Sequence, residues 1–251
     1  MIFISKAQAR KFTGFHYLGS VSKTHKHAKS IHYNELTYSL YLSPANSSGY
    51  EVCPNRSAEC TLLCLNGSGN GMVYPDHVLP SRIKKTKLFF EQKELFVRWM
   101  IEEIKSAKKK ADKLGYTFSV RLNNTSDISP LSFYIHEGNT VKNILEIFPD
   151  IQFYDYTKVP TRIKIMEKYK NYDVTFSYSG YNMNDCITML NNNVRVAMVF
   201  KKVPSTYINY PVINGDDYDM RYKDPKNVIV GLKFKVVSAR IPEQSKFVIN
   251  I

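Results

Sequence analysis

The chain has 251 residues, of which 43% are hydrophobic and 13% aromatic, and this composition excludes a disordered protein. The length indicates a single domain with a large apolar core. No apolar stretch approaches the roughly 18 residues of a membrane span, and the apolar start before Lys6 is too short for a signal peptide. We therefore expect a cytoplasmic protein with no membrane partner.

The formal charge is +13, from 35 basic and 22 acidic residues. A positive field of this size concentrates polyanions near the surface, so nucleic acid or a phosphorylated small molecule is an expected partner. The alternative is a lysine-rich surface that serves only solubility.

The predicted elements begin with a basic arm over residues 1–34, which holds four of the six histidines, including His25 and His27. A core over 35–251 follows, in which strands and helices alternate. Strands are predicted at 36–42, 117–122, 151–156, 174–178, 194–200 and 228–234, and helices at 83–114, 141–148, 161–169 and 183–190. This alternation predicts an α/β fold, a partial (β/α)6 barrel-like parallel sheet with outer helices. Such folds bind ligands at the carboxyl ends of their strands.

Three of the four cysteines, Cys53, Cys60 and Cys64, lie in the loop after the first predicted strand. Thiolates are ligands for zinc and for iron–sulfur clusters, so this loop is the predicted metal site. An iron–sulfur cluster, a structural zinc completed by a histidine such as His77, and metal-free thiols all remain open. Cys186 falls in a helical pattern and is predicted to be buried.

Several polar groups stand where they would share that end of the sheet. Gly67, Gly69 and Gly71 let backbone amides approach a ligand, although a flexible loop is an equal alternative. After the second predicted strand come four polar residues able to hold a zwitterionic group or a ribose, unless they only cap a helix: Arg121, Asn123, Ser126 and Asp127. The third predicted strand ends in a possible catalytic set, or a structural ion pair: Asp155, Tyr156 and Lys158.

The last polar groups lie late in the chain. An acidic segment contains Asp216, Asp219 and Arg221, and Lys233 lies in the sixth predicted strand. Carboxylates at such spacing are able to hold a divalent cation, but the spacing does not fit a calcium loop, and a turn with side-chain hydrogen bonds is favoured.

A cysteine triplet in the loop after the first strand of a six-stranded β/α unit resembles the radical S-adenosylmethionine enzymes. That resemblance implies a partial barrel in which Cys53, Cys60 and Cys64 bind a [4Fe-4S] cluster, with S-adenosylmethionine against the strand ends. The spacing differs, because six and then three residues separate these cysteines where the family has three and then two. The segment 123–125 reads Asn-Asn-Thr where the family has Gly-Gly-Glu.

The chain is also similar to an uncharacterised family of bacteriophage proteins. The shared motifs are Cys-Leu-Asn at 64–66, Arg-Leu-Asn-x-Thr-Ser-Asp-Ile at 121–128, Phe-Tyr-Asp-Tyr-Thr-Lys at 153–158 and Gly-Asp-x-x-Asp-x-Arg at 215–221. This resemblance implies a phage protein in the cytoplasm of an infected cell and supplies no reaction. Together the patterns favour an iron–sulfur enzyme that acts on a nucleotide, nucleic acid or peptide. The alternative is a nonenzymatic, zinc-stapled phage protein that binds nucleic acid or a host factor.

Overall fold

The computed structural model describes residues 6–21, 29–235, 237 and 244–251. Its helices are α1 (Lys6–Thr13), α2 (Ala58–Leu62), α3 (Asn70–Val73), α4 (Pro75–Glu91), α5 (Lys93–Lys113), α6 (Ile144–Ile147), α7 (Ile163–Lys168) and α8 (Met183–Asn191). The strands of the first half are β1 (Gly19–Val21), β2 (Glu35–Leu40), β3 (Thr117–Arg121), β4 (Tyr134–Glu137), β5 (Thr140–Asn143) and β6 (Gln152–Thr157). The second half adds β7 (Tyr172–Ser177), β8 (Val196–Phe200), β9 (Thr206–Tyr207), β10 (Tyr210–Asn214), β11 (Ile229–Lys233) and β12 (Val248–Ile249).

The six predicted strands form the centre of one sheet, in the order β2-β3-β6-β7-β8-β11. Every neighbouring pair among them is parallel, so their carboxyl ends lie along one edge. Strand β1 extends the sheet antiparallel to β2, while β10 and then β9 extend it beyond β11. Strand β12 pairs with the second half of β8, next to where β7 ends. The fold is therefore mixed α/β with a largely parallel central sheet.

The two faces of this sheet differ in polarity. One face is apolar: residues such as Leu36, Val120 and Phe153 pack against Phe96 and Ile104 of α5, all of them buried. Successive strand residues point to opposite faces, so the alternate positions form the other face. These positions are polar and equally buried: Thr37 and Ser39 of β2, Ser119 of β3, Tyr154 of β6 and Thr175 of β7.

The polar face is covered by the chain itself. The segment 215–224, which follows β10, ends in a 3₁₀ turn, Arg221–Lys223, that lies against β7. From this turn Tyr222 donates a hydrogen bond of 2.7 Å to Glu35 of β2, and Lys223 forms an ion pair of 2.6 Å with the same carboxylate. The acidic segment of the sequence is therefore a cover over the inner face of the sheet.

Some predicted elements have different bounds in the structure. The helix expected at 83–114 is two helices, since α4 begins earlier, at Pro75, and the chain breaks at Gln92 before α5. The helix expected at 141–148 was wrong in its first turn, because 140–143 pairs with β4 in a hairpin and only α6 is helical. Capping explains the boundary: the Asn143 side chain accepts the Leu145 and Glu146 N–H groups and starts α6 there.

The described part of residues 1–34 packs against the core. Helix α1 contacts α5, Ala9 and Leu18 are buried, and β1 pairs with β2. The His25 and His27 positions lie outside the described residues. Among the helices that the structure describes, none combines the length and the apolar character needed to cross a bilayer.

Candidate functional site

The segment between β2 and α4 carries the three clustered cysteines at the carboxyl edge of the sheet. Ser57 caps α2: its hydroxyl accepts the Cys60 N–H at 3.0 Å and donates to the Ser179 carbonyl at 2.5 Å. Ser179 follows β7, so this serine joins the cysteine loop to the end of another strand. Cys64 caps the next 3₁₀ turn, where its sulfur accepts a backbone N–H at 3.5 Å.

Lys158, the residue after β6, is a common neighbour of the three loop cysteines. Its ammonium group hydrogen-bonds the Cys60 thiol and interacts electrostatically with Cys53 and Cys64. Burial opposes its charge, but the interactions with Cys60, Asp127 and Cys53 outweigh burial and raise the pKa of Lys158. The fold thus brings the predicted metal ligands and one of the predicted catalytic residues into a single site.

The cysteine thiols themselves are partly buried. Burial raises the pKa of Cys53 to about 12 and also raises that of Cys64. Both are therefore protonated thiols at neutral pH, and any metal that bound them would displace their protons. Within the described residues, no group of three His, Cys, Asp or Glu side chains converges closely enough to hold a single metal ion.

Asp127 connects the loop after β3 to the end of β6. Its carboxylate accepts the Thr157 hydroxyl and the Lys158 N–H, both at 2.7 Å, and pairs with the Arg162 guanidinium at 3.2 Å. Asp127 and Arg162 are both buried. Asp127 therefore fixes the backbone from which Lys158 reaches the cysteines.

Asn123, Ser126 and Asp155 bond to one another beneath this edge. The backbone N–H and the side-chain amide of Asn123 donate to the two oxygens of Asp155 at 2.8 and 3.0 Å. The Asn123 side-chain oxygen accepts the Ser126 hydroxyl and the Ile128 N–H, both at 2.8 Å. These bonds use the polar atoms of the three side chains within the fold, so their geometry suits positioning of the strand ends.

Asp155 makes the stability of the fold depend on pH. Burial raises its pKa to about 7, above the ordinary 3.8, although the Asn123 hydrogen bonds oppose the shift. Since the pKa is higher in the folded state, the contribution of the neutral carboxyl is complete below pH 3.8 and is lost as the pH rises through about 7.

We expect the wild type to lose up to about 4 kcal/mol of unfolding free energy relative to Asp155→Asn between pH 4 and pH 8. Urea titrations of both proteins across this range measure the difference. A difference that stays constant with pH would show that Asp155 titrates at its ordinary value.

A comparison with protein families matches residues 12–250 to the model described as Gene product 88. The chain belongs to the gene product 88 family. This is an uncharacterised family of phage type, which confirms the expected bacteriophage relationship. The chain matches no curated protein and no solved structure. The chemistry of the gene product 88 site therefore has to be argued from its own residues.

On the polar face, Arg121 and Tyr156 lie together. The Arg121 guanidinium stacks over the Tyr156 ring at 4.7 Å and forms an ion pair with Asp219 of the cover segment. A second pair within that segment joins Arg221 to Asp224 at 2.9 Å, with both side chains buried. Four of the predicted residues from distant parts of the chain, Arg121, Tyr156, Asp219 and Arg221, therefore meet on the polar face.

The three glycines shape the cysteine loop of this gene product 88 chain. Gly69 has φ +54°, a conformation that favours glycine, and a Cβ at Gly71 would lie 1.8 Å from the Asn66 carbonyl oxygen. Both therefore serve tight turns. Asp216 and Lys233 meet elsewhere, at the β10–β11 end, where the Asp216 carboxylate accepts the Lys233 N–H at 2.9 Å. An Asn214–Asp216 turn bond of 3.0 Å agrees with the turn predicted there.

Glu59 is a positioning residue that the sequence analysis missed. Its carboxylate accepts the Ser245 hydroxyl at 2.6 Å, the Phe247 N–H at 3.1 Å and the Tyr181 hydroxyl at 3.2 Å. These donors come from the segment before β12 and the loop after β7, so Glu59 anchors the helix that carries Cys60. No local pattern marks it, because all three partners are distant in sequence. Cys186, as predicted, is buried.

Proposed function

We propose that this chain is a phage-encoded iron–sulfur enzyme of the radical S-adenosylmethionine type that acts on a nucleotide, nucleic acid or peptide. The observation that carries the proposal is that Cys53, Cys60 and Cys64 lie at the carboxyl edge of a parallel sheet with Lys158 as their common neighbour. The cysteines follow β2, the first of the six parallel strands, and Lys158 follows the third.

The strand order supports a partial (β/α)6 barrel. The six parallel strands neighbour one another in the order in which the chain makes them, whereas an open doubly wound sheet reverses its order at a switch point. A sheet in which each new strand is added on the same side of the previous one can curve into a barrel around its polar face. Here that face is polar, buried and covered by residues 215–224, as the lumen of such a barrel would be.

The chemistry of the donors suits a cluster better than a single ion. Cys64 interacts electrostatically with Cys53 and with Cys60, and Lys158 interacts with all three thiols. Three thiolates are the protein ligands that a [4Fe-4S] cluster with one open iron needs, whereas a structural zinc would need a fourth protein ligand. When bound, the cluster would supply single electrons and leave one iron open to an exogenous ligand.

The roles of the protein residues follow from their contacts. Lys158 would balance the negative charge of the thiolates, and Asp127 would hold Lys158 in place. Asn123, Ser126 and Asp155 would fix the strand ends around the cofactor, with the loop of Gly67, Gly69 and Gly71 beside it. Arg121 and Tyr156 would face the substrate from the polar side of the sheet.

The experiment is anaerobic purification and reconstitution of the full chain, followed by iron, sulfide and zinc analysis. We expect close to four irons per chain, a brown colour and an electron paramagnetic resonance signal after reduction that changes when S-adenosylmethionine is added. Zinc without iron after anaerobic reconstitution would overturn the proposal.

A second candidate, a zinc-stapled protein that binds nucleic acid or a host factor, has one observation in its favour. Lys109, Lys110 and Lys113 are exposed on the last turns of α5, where no ion pair to them is found among the described residues. If this surface binds nucleic acid, affinity for DNA or RNA falls steeply with salt. An absence of gel retardation at low salt would count against it.

A further inference from the structure

The polar face of the sheet contains buried donor groups that the fold does not use. In the part of the chain that the structure describes, those without a hydrogen-bond partner include Arg121 Nε, Tyr154 Oη, Tyr156 Oη, Thr175 Oγ1, Arg195 Nε and Arg221 Nε. Buried polar groups are nearly always bonded, and an unpartnered one costs stability unless water or a ligand completes it. Such a set on one face calls for an explanation.

These groups form one continuous patch. Tyr156 of β6 and Thr175 of β7 are direct partners in the sheet register. Arg195 stands opposite Thr175, one position before the partners Phe176 and Val196. The Arg121 guanidinium lies 4.7 Å from the Tyr156 ring centre.

The covering segment closes the patch. Arg221 acts electrostatically on Tyr156, and its side chain is 1% exposed. Thr175 and Arg195 are also almost completely buried, at 0% and 2%. Strands β3, β6, β7 and β8 and the segment after β10 therefore all contribute to one buried surface.

The carboxylates of this region are already engaged by the same arginines. Arg121 pairs with Asp219, Arg195 with Asp173, and Arg221 with Asp224. These pairs use the terminal nitrogens of the guanidinium groups and leave the Nε–H donors, with the hydroxyls of Tyr156 and Thr175 beside them. Asp224 Oδ2 makes the ion pair with Arg221 but no hydrogen bond, so the patch keeps one such acceptor beside several donors. Donors outnumber it, and a patch in which donors predominate favours a group rich in acceptor oxygens.

We propose that this patch is a binding site for a small molecule that presents an oxyanion, a carboxylate or a phosphate, to Tyr156, Thr175 and the three arginines. The site lies on the polar face of the sheet, close to the carboxyl edge that carries the cysteines. Lys158 follows Tyr156 by two residues along the direction of β6, a distance of roughly 7 Å. The site does not depend on the metal, but a molecule held there lies next to any cluster that the cysteines bind.

The test uses the full chain and the double variant Tyr156→Phe and Thr175→Val, which removes both hydroxyls and keeps the side-chain shapes. The probes are inorganic phosphate, acetate and adenosine 5′-monophosphate, with adenosine as the probe that lacks an oxyanion, in calorimetry and thermal shift. We expect at least one oxyanion probe to bind the wild type and to bind the double variant about tenfold more weakly or worse. Comparison of phosphate with acetate shows whether the site prefers a phosphate or a carboxylate.

The matched control is Thr37→Val, on the same face, because its hydroxyl is bonded to Ser119 Oγ at 3.0 Å. We expect this control to lower the melting temperature by about 2–4 °C and to keep probe affinity, while the double variant melts no lower than the wild type. A double variant that loses more stability than Thr37→Val would show that its hydroxyls serve the fold, and would overturn the proposal.

Two further outcomes would also overturn it. One is equal probe affinity in the wild type and the double variant, and the other is no binding of any oxyanion probe to the wild type. Metal analysis separates this inference from the proposed function. If the chain binds zinc in place of iron, the iron–sulfur proposal is wrong and the probe result is unaffected. If no probe binds but four irons are present, the oxyanion site is wrong and the iron–sulfur proposal is unaffected.

Discussion

Replacing Cys60 with alanine is expected to reduce bound iron from about four atoms per chain to fewer than one, while the chain stays folded. Cys60 lies between the Ser57 cap and the Lys158 ammonium group, and a three-cysteine site that loses one ligand cannot hold a [4Fe-4S] cluster tightly. The side chain is only partly buried, so its removal leaves no core cavity. Iron and sulfide analysis after anaerobic reconstitution, with circular dichroism for folding, measures both effects.

Cys186→Ala is the matched control. Cys186 is the fourth cysteine, buried in α8 within the apolar cluster beside β8, and its loss removes a thiol outside the loop. Lys158 acts on it electrostatically, as it does on the loop cysteines, so the control tests whether a thiol in the loop itself is needed. We expect full iron content and a loss of about 1 kcal/mol of stability from the small cavity. If Cys60→Ala binds as much iron as the wild type, Cys60 is not a cluster ligand and the proposed loop site is wrong, whatever the iron content of the control.

Replacing Asp127 with asparagine is expected to destabilise the fold by about 3–5 kcal/mol. The change leaves the Arg162 charge buried without its carboxylate partner and replaces one oxygen that accepts the Thr157 hydroxyl or the Lys158 N–H. Because the same bonds hold the backbone of Lys158, we also expect weaker retention of any metal at the cysteines. Urea unfolding and the rate of iron loss to a chelator measure the two effects.

Glu94→Gln is the control for Asp127→Asn, because it also replaces a carboxylate with its amide, but in an exposed ion pair. Glu94 pairs with Arg98 at 2.6 Å on the surface of α5, with 43% of its side chain exposed. Such pairs contribute about 0–1 kcal/mol. If Asp127→Asn costs no more than Glu94→Gln, the assigned role of Asp127 at the strand ends is wrong.

The central strands could be predicted because each has a local signal. Apolar and β-branched runs such as 194–200 stand between polar turns, and all six of these runs are strands of the sheet, where they neighbour one another in chain order. Most strands that were not predicted are short: β1, β4, β5, β9 and β12 have two to four residues each, and β10 has five. Strands of two to four residues carry too little pattern to recognise in the sequence.

The cysteine loop shows what the sequence determined about the candidate site. Three thiols lie within twelve positions directly after the first strand, so the sequence predicts thiol ligands there. It also predicts that they lie at the carboxyl edge of the sheet, because parallel strands place their carboxyl ends together. The same rule placed Lys158 and Asp127 at that edge. In the structure the Asp127 carboxylate accepts the Lys158 N–H, and Lys158 interacts with Cys60 and Cys53.

Only the tertiary structure shows which polar residues make their hydrogen bonds within the fold and which keep unbonded donors. Asn123 was predicted to bind a cofactor and Asp155 to be catalytic, but in the structure they bond to each other. Thr175 and Arg195, which no motif marked, keep donors that the described residues leave unpaired. A sequence gives each residue its hydrogen-bonding capacity, whereas only the packing of distant strands determines whether that capacity is met. The cover over the polar face depends on the same kind of contact, since Asp219 and Arg221 oppose strands far away in the chain.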